Sequence, residues 1–256
     1  DNLQRMRIAF LSGQYPPRVR GGGEVSTHLI ARGLVGLGHK VTVFTEGTKK
    51  RDNDLEGVKL VSVPFKMTAK VMFERRQARR LARTLSRYFN VTNNPLNPPF
   101  QGETVFDIVH AHDWRSALAL AEMSLPNSVV TVRDYAQISG DTNFLLANGQ
   151  LPRGPLSASW LSQRVREARF PRNLARLTQY LINVDYRQRS FSKLPNQIFI
   201  SRAQRELISR FQTKPRQETV IYNPVADNYL NEVTREGELG KVLYVGRIEM
   251  YKGVGL

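Results

Sequence analysis

Residues 7–45 constrain the fold more than any other stretch, because an apolar run, a glycine-rich turn, an amphipathic segment and a second apolar run follow without a break. Arg7-Ile8-Ala9-Phe10-Leu11-Ser12 lacks the alternation of a half-exposed strand and reads as a strand covered on both faces. The loop from Gly13 to Gly23 holds Pro16, Pro17 and Gly21-Gly22-Gly23. From Glu24 onward Val25, Leu29, Leu34 and Leu37 recur at helical spacing, and Gly38 stops the helix. Val41-Thr42-Val43-Phe44 is then a second strand. Strands joined through a helix pair in parallel, so this unit implies a parallel sheet.

The alternation continues to residue 222. Strands are expected at 58–63, 106–110, 129–132, 197–200 and 219–222, with helices at 71–89, 116–123 and 202–211 and a helix-rich region up to Ser190. Asp52-Asn53-Asp54 reads as an exposed polar turn before a strand, despite its similarity to a metal-holding Asp-x-Asp. The implied fold class is α/β, a Rossmann-like doubly wound parallel sheet with helices on both faces. Asn223 to Gly240 is polar, acidic and turn-rich, the composition of an interdomain linker. The expected division is a domain over residues 1–235, followed over 236–256 by the end of the linker and the first strand of a second domain.

The charge narrows the partners. With 38 basic against 22 acidic residues the formal net charge is +16, which favours an anionic partner. The segment from Val71 to Phe89 places Val71, Ala78, Leu81, Ala82, Leu85 and Phe89 on one stripe, with Arg75, Arg76, Arg79, Arg80, Arg83 and Arg87 around the rest. That is a basic amphipathic helix, suited either to packing on a sheet with its charge displayed or to resting on anionic lipid. A second cluster comprises Arg164, Arg166, Arg169, Arg172 and Arg176. No nucleic-acid module is recognisable, so no nucleic acid is expected. The sequence contains no cysteine, which excludes disulfides and thiolate chemistry. A cytoplasmic location, peripheral at the membrane, is expected.

The glycine loop departs from the dinucleotide fingerprint, since its glycines are adjacent and a loop of several residues precedes them. It resembles another family instead. Tyr15-Pro16-Pro17, Gly21-Gly22-Gly23-Glu24 and Leu37-Gly38-His39-Lys40-Val41-Thr42-Val43 are similar to the opening of family 4 glycosyltransferases. Later segments agree in order: Asp107 to Trp114, Val130-Thr131-Val132-Arg133-Asp134, Phe199-Ile200-Ser201, Ile221-Tyr222-Asn223-Pro224-Val225, and Val245-Gly246-Arg247 through Lys252-Gly253.

This resemblance implies the amino-terminal half of a GT-B fold and a metal-independent, hexosyltransferase-like enzyme that transfers sugar with retention. The co-substrate would be a nucleotide sugar such as a UDP- or GDP-sugar, with no other cofactor. The acceptor would be a sugar or a lipid-linked sugar. On the family pattern Gly22 and Gly23 face the donor diphosphate, and Arg247 and Lys252 clamp it. Fixed cations there would stabilise the negative charge that builds on the leaving phosphate. His112 would hydrogen-bond the transferred sugar as the catalytic residue. Glu24, Arg133, Asp134, Ser201 and Asn223 would line the acceptor side of the cleft. The paired glutamates of the family are expected beyond Leu256, so the chain by itself is not expected to catalyse transfer. The alternatives are a GT-B-fold sugar-nucleotide epimerase or phosphorylase, and a non-catalytic basic membrane-binding module.

Overall fold

Eight strands form one sheet in the order β3-β4-β2-β1-β5-β6-β7-β8. The computed structural model describes residues 4–47, 52–65, 74–89, 106–139, 143–146, 148–167, 174–212, 215–226, 240, 244–246 and 248. In chain order the elements begin with β1 (Arg7–Ser12), α1 (Gly22–Gly36), β2 (Lys40–Glu46), β3 (Asp52–Leu55), β4 (Val58–Val63), α2 (Glu74–Leu85) and β5 (Ile108–Ala111). They continue with α3 (Trp114–Met123), β6 (Ser128–Val132), α4 (Ala158–Glu167), α5 (Leu174–Ser192), β7 (Asn196–Phe199), α6 (Arg202–Ser209) and β8 (Gln217–Val220). All neighbouring pairs are parallel except β3 with β4.

The apolar run of β1 is covered on both faces, as the sequence requires. Ile8 and Phe10 join Ala31 of α1, Val41, Val43 and Val58 in one cluster, whereas Ala9 and Leu11 join residues of α2 and α3 on the opposite face. Each fully buried Leu or Phe contributes roughly 2 kcal/mol. Helices therefore cover both faces, the doubly wound arrangement.

The polar segment at Asp52 is a strand and not the turn its composition suggests. It pairs antiparallel with β4 as an edge strand, and the turn lies at Glu56 and Gly57, both with positive φ (51° and 79°). Asp54 Oδ1 accepts the Gly57 N–H at 2.8 Å and stabilises that turn. An edge strand needs no apolar alternation, so polarity hid it.

α1 begins at Gly22, two residues before the apolar periodicity starts. Gly21 is extended, and Glu24 Oε2 reaches back to its N–H at 3.0 Å, which makes Glu24 the third residue of the helix. The other end closes with a Schellman motif: Gly38 (φ 88°) bonds to Val35 O at 2.9 Å and His39 N to Leu34 O at 3.1 Å.

α2 packs Ala78, Leu81, Ala82 and Leu85 into the core, while Arg75, Arg76, Arg79, Arg80, Arg83 and Arg87 are exposed. Its first residue is anchored deeply. Glu74 and Arg187 of α5 form a buried pair in which Arg187 Nε donates to Glu74 Oε2 at 2.8 Å, and Arg187 Nη1 donates to Ser139 O at 2.9 Å. The guanidinium also lies over the Trp114 ring, 4.2 Å from its centroid. One cation thus ties α2, α3, α5 and the segment after β6 together. Among the described residues no helix is long and apolar enough to cross a membrane. Val71, Arg169 and Arg172, and the side chains of Arg164, Arg166 and Arg176, lie outside the described residues, as does most of 236–256.

Candidate active site

The winding of the sheet reverses at β1, which has β2 on one side and β5 on the other. Connections leaving the carboxyl ends of β1 and β5 run to opposite faces, and the crevice between them is where open α/β sheets bind ligands. The histidines His110 and His112 stand at this point.

Being two residues apart, both histidines project to the same face, that of Phe10 and α1. Their ring centroids are 4.0 Å apart, and Phe10 lies 4.1 Å from the His112 centroid. His110 Nε2 shares a 2.7 Å hydrogen bond with Thr131 Oγ1. Burial and the nearby Arg133 push the His110 pKa down to about 3. Burial, with His110 and Arg133 beside it, holds His112 well below the ordinary histidine value. Both rings are neutral in the folded protein. His112 is 2% exposed, and its Nε2 has no hydrogen-bond partner among the described residues.

Arg133, just past β6, ties the site together. Nη1 donates to Asn223 Oδ1 at 3.1 Å, and Nη2 reaches both Thr27 Oγ1 and His112 Nδ1 at 3.3 Å. Asn223 Oδ1 also accepts Ser26 Oγ–H at 3.0 Å. Residues from α1, from the ends of β5 and β6 and from the segment after β8 are thereby joined. The Arg133 Nε is buried without a partner among the described residues.

Gly22 and Gly23 open α1 directly beside this group. A Cβ on Gly23 would stand 3.9 Å from Arg133 Cδ, and one on Gly22 would meet nothing within 4 Å. Gly22 is exposed at the first turn of the helix, where the N–H groups and the positive end of the dipole lie. Glu24 serves the start of this helix as described above.

Asp113 holds the loops in place. Its Oδ1 accepts Arg115 N and Ser116 N at 3.0 and 2.9 Å, capping α3, and its Oδ2 accepts Gly13 N at 2.8 Å from the loop after β1. Asp134 Oδ1 accepts Ala136 N at 2.9 Å, and burial of the carboxyl raises its pKa to about 6. Ser201 caps α6, accepting Gln204 N at 3.1 Å. The structure thus joins Gly23, Arg133, His112 and Asn223 in one cluster and gives Glu24, Asp134 and Ser201 local tasks. Arg247 and Lys252 lie outside the described residues. Sequence reasoning missed Ser26, Thr27 and Asp113. An Asp directly before a helical run is an N-cap signal that could have revealed Asp113. On the opposite face of the sheet, toward α2, Phe44, Val63, Phe65, Leu81 and Leu85 line an apolar cavity together with Glu46 at the carboxyl end of β2.

Comparison with known proteins identifies the family and the fold. The model of Glycosyltransferase Family 4 matches residues 20–229. The chain belongs to glycosyltransferase family 4. An uncharacterized glycosyltransferase of Methanocaldococcus jannaschii is 27% identical over 115 residues, 43% of this chain and 25% of the relative. An uncharacterized 42.6 kDa protein in the cps region of Klebsiella pneumoniae is 36% identical over 62 residues, 23% of this chain and 17% of the relative. Among solved structures, the sucrose-phosphate synthase of Thermosynechococcus elongatus superposes with a TM-score of 0.52 at 13% identity, covering 85% of this chain and 48% of that one. The sheet is the Rossmann-like half of a GT-B glycosyltransferase fold, and the chain spans about half the length of that structural relative.

Proposed function

We propose that this glycosyltransferase chain, as part of a longer parent, forms the acceptor-side half of a retaining enzyme that takes its sugar from a nucleotide-sugar donor. The observation that carries the reading is the buried, unpartnered Nε2 of His112 at the point where the sheet reverses, one step from the open first turn of α1. In this reading the donor diphosphate faces Gly22 and Gly23, and the transferred sugar meets His112. Arg247 and Lys252 clamp the diphosphate on the other side. The reading takes residues 1–235 as one domain and 236–256 as the beginning of the donor-binding one.

The acceptor in this reading is lipid-linked. Two features support it. An apolar cavity lies at the carboxyl ends of β1 and β2 on the α2 side of the sheet, and α2, which supplies Leu81 and Leu85 to its wall, displays five arginines, with Arg87 exposed just past its end. A helix that packs its apolar stripe inward can still rest its basic face on anionic headgroups, at about 1 kcal/mol per residue. The enzyme then works peripherally at a membrane, with no metal and no cofactor beyond the nucleotide sugar.

The test is to incubate the parent enzyme with a panel of nucleotide sugars and lipid-linked acceptors, following nucleotide release and the anomeric proton of the product by NMR. The reading expects transfer with retained configuration. Conversion of a nucleotide sugar without any acceptor would instead establish an epimerase, and inversion would remove the retaining mechanism.

A further inference from the structure

A histidine used as a base is ordinarily oriented by a carboxylate that accepts its second N–H and supports positive charge on the ring. The arrangement at His112 has the opposite polarity. The group at its Nδ1 is the Arg133 guanidinium, 3.3 Å away, and a guanidinium has donors only. The nearest carboxylate in sequence, Asp113, is occupied with Gly13, Arg115 and Ser116.

The register of the sheet explains why Arg133 arrives there. β5 and β6 pair His110 with Val129, and the His110 ring bonds to Thr131, two residues further along the neighbouring strand. The same diagonal step taken two residues later leads from His112 to Arg133. The guanidinium is held from other sides by Asn223 and Thr27, so it cannot turn away without breaking three contacts. A flipped His112 ring would set a C–H against that N–H and leave the donor unmatched.

We propose that Arg133 is a positioning residue that fixes the tautomer of His112: Nδ1 is kept unprotonated, the ring proton resides on Nε2, and His112 meets its ligand as a hydrogen-bond donor to an oxygen, never as a base. Burial between Phe10 and His110 keeps the ring from taking a second proton. The unpartnered Nε–H of Arg133 adds a second buried donor to the cluster. Two donors and the open first turn of α1 suit an oxygen-rich, anionic ligand. The identity of that ligand rests on the glycosyl-transfer reading, whereas the tautomer rests on geometry alone.

Two-bond proton–nitrogen NMR correlations of the histidine rings in the nitrogen-15-labelled protein decide the question. The expected spectrum shows His112 protonated on Nε2 alone. Arg133→Lys, which keeps a cationic donor, should retain that pattern, and Arg133→Met should lose it to the other tautomer or to a mixture. A proton on Nδ1 in the unaltered protein overturns the proposal even if Arg133→Met does not fold, and so does a pure Nε2 tautomer persisting in a folded Arg133→Met. Adding a nucleotide sugar should move the Nε2 proton resonance. A shift with the nucleotide sugar and none with the nucleoside diphosphate assigns the acceptor to a sugar oxygen, and equal shifts assign it to a phosphate oxygen. The expected tautomer with no shift from either ligand upholds Arg133 and overturns the ligand reading.

Discussion

Acidification should destabilise this fold through the two stacked histidines at its centre. His110 titrates at about 3 in the folded protein, against 6.5 for a free side chain, and His112 is likewise held well below 6.5. A depressed histidine pKa means that the folded state refuses protons that the unfolded chain accepts. Stability from this source is complete above pH 6.5 and falls as the pH drops below it. Between about pH 7.5 and about pH 5.5 each histidine should cost about 1–1.5 kcal/mol, somewhat under ~3 kcal/mol for the pair. Asp134 acts in the opposite direction. Its raised pKa of about 6 lets the folded state take up a proton first, which returns about 1 kcal/mol over the same interval. The net expectation is a loss of about 2 kcal/mol, a fall of roughly 0.8 M in the urea midpoint for a domain of this size. His110→Gln should remove about half of the histidine share. An unfolding midpoint that is equal or higher at the lower pH, or a full pH dependence in folded His110→Gln, would refute the neutral buried pair.

Other consequences follow from specific contacts. Arg187→Met leaves the Glu74 carboxylate buried and unpaired and should lower stability by about 3–5 kcal/mol, with a smaller loss in the double variant Glu74→Leu/Arg187→Met; thermal or urea unfolding of the set checks both. Asp113→Ala removes the cap of α3 and the acceptor of Gly13 N, costing about 1–2 kcal/mol and accelerating hydrogen exchange at the Gly13 amide. Replacing Arg76, Arg80, Arg83 and Arg87 by Glu should abolish flotation with anionic liposomes at low salt without altering the unfolding free energy by more than about 1 kcal/mol, since all four side chains are exposed. Binding that is unchanged in that variant would remove α2 from the membrane proposal.

The sheet was legible because its central strands are short apolar runs bounded by glycine and capping signals, and β1, β2, β4 and β6 lie within a few residues of their expected places. The edges were not. β3 is polar and shows no alternation, and β8 begins two residues before its expected start at Thr219, because Gln217, Glu218 and Thr219 are exposed and polar. α1 begins two residues early because glycines carry no periodicity, and only the bond from Glu24 to Gly21 reveals them as helical. Within the site, the sequence resemblance pointed to His112, but the task of Arg133 depends on the β5–β6 register across 21 residues. That register follows from which strands pair, and no local pattern contains it. Ser26 and Thr27 belong to the same class, since Asn223 lies 197 residues from Ser26.

The central claim, that His112 serves a donor sugar, is tested most directly by calorimetric titration of the parent enzyme and its His112→Leu variant. Both would be titrated with the nucleotide sugar that supports transfer and with the corresponding nucleoside diphosphate. Loss of a buried hydrogen bond to the sugar should weaken nucleotide-sugar binding by roughly tenfold to a hundredfold, while the nucleoside diphosphate loses little. Equal affinity of the two proteins for the nucleotide sugar, or no binding of any nucleotide sugar by the unaltered enzyme, would contradict the account.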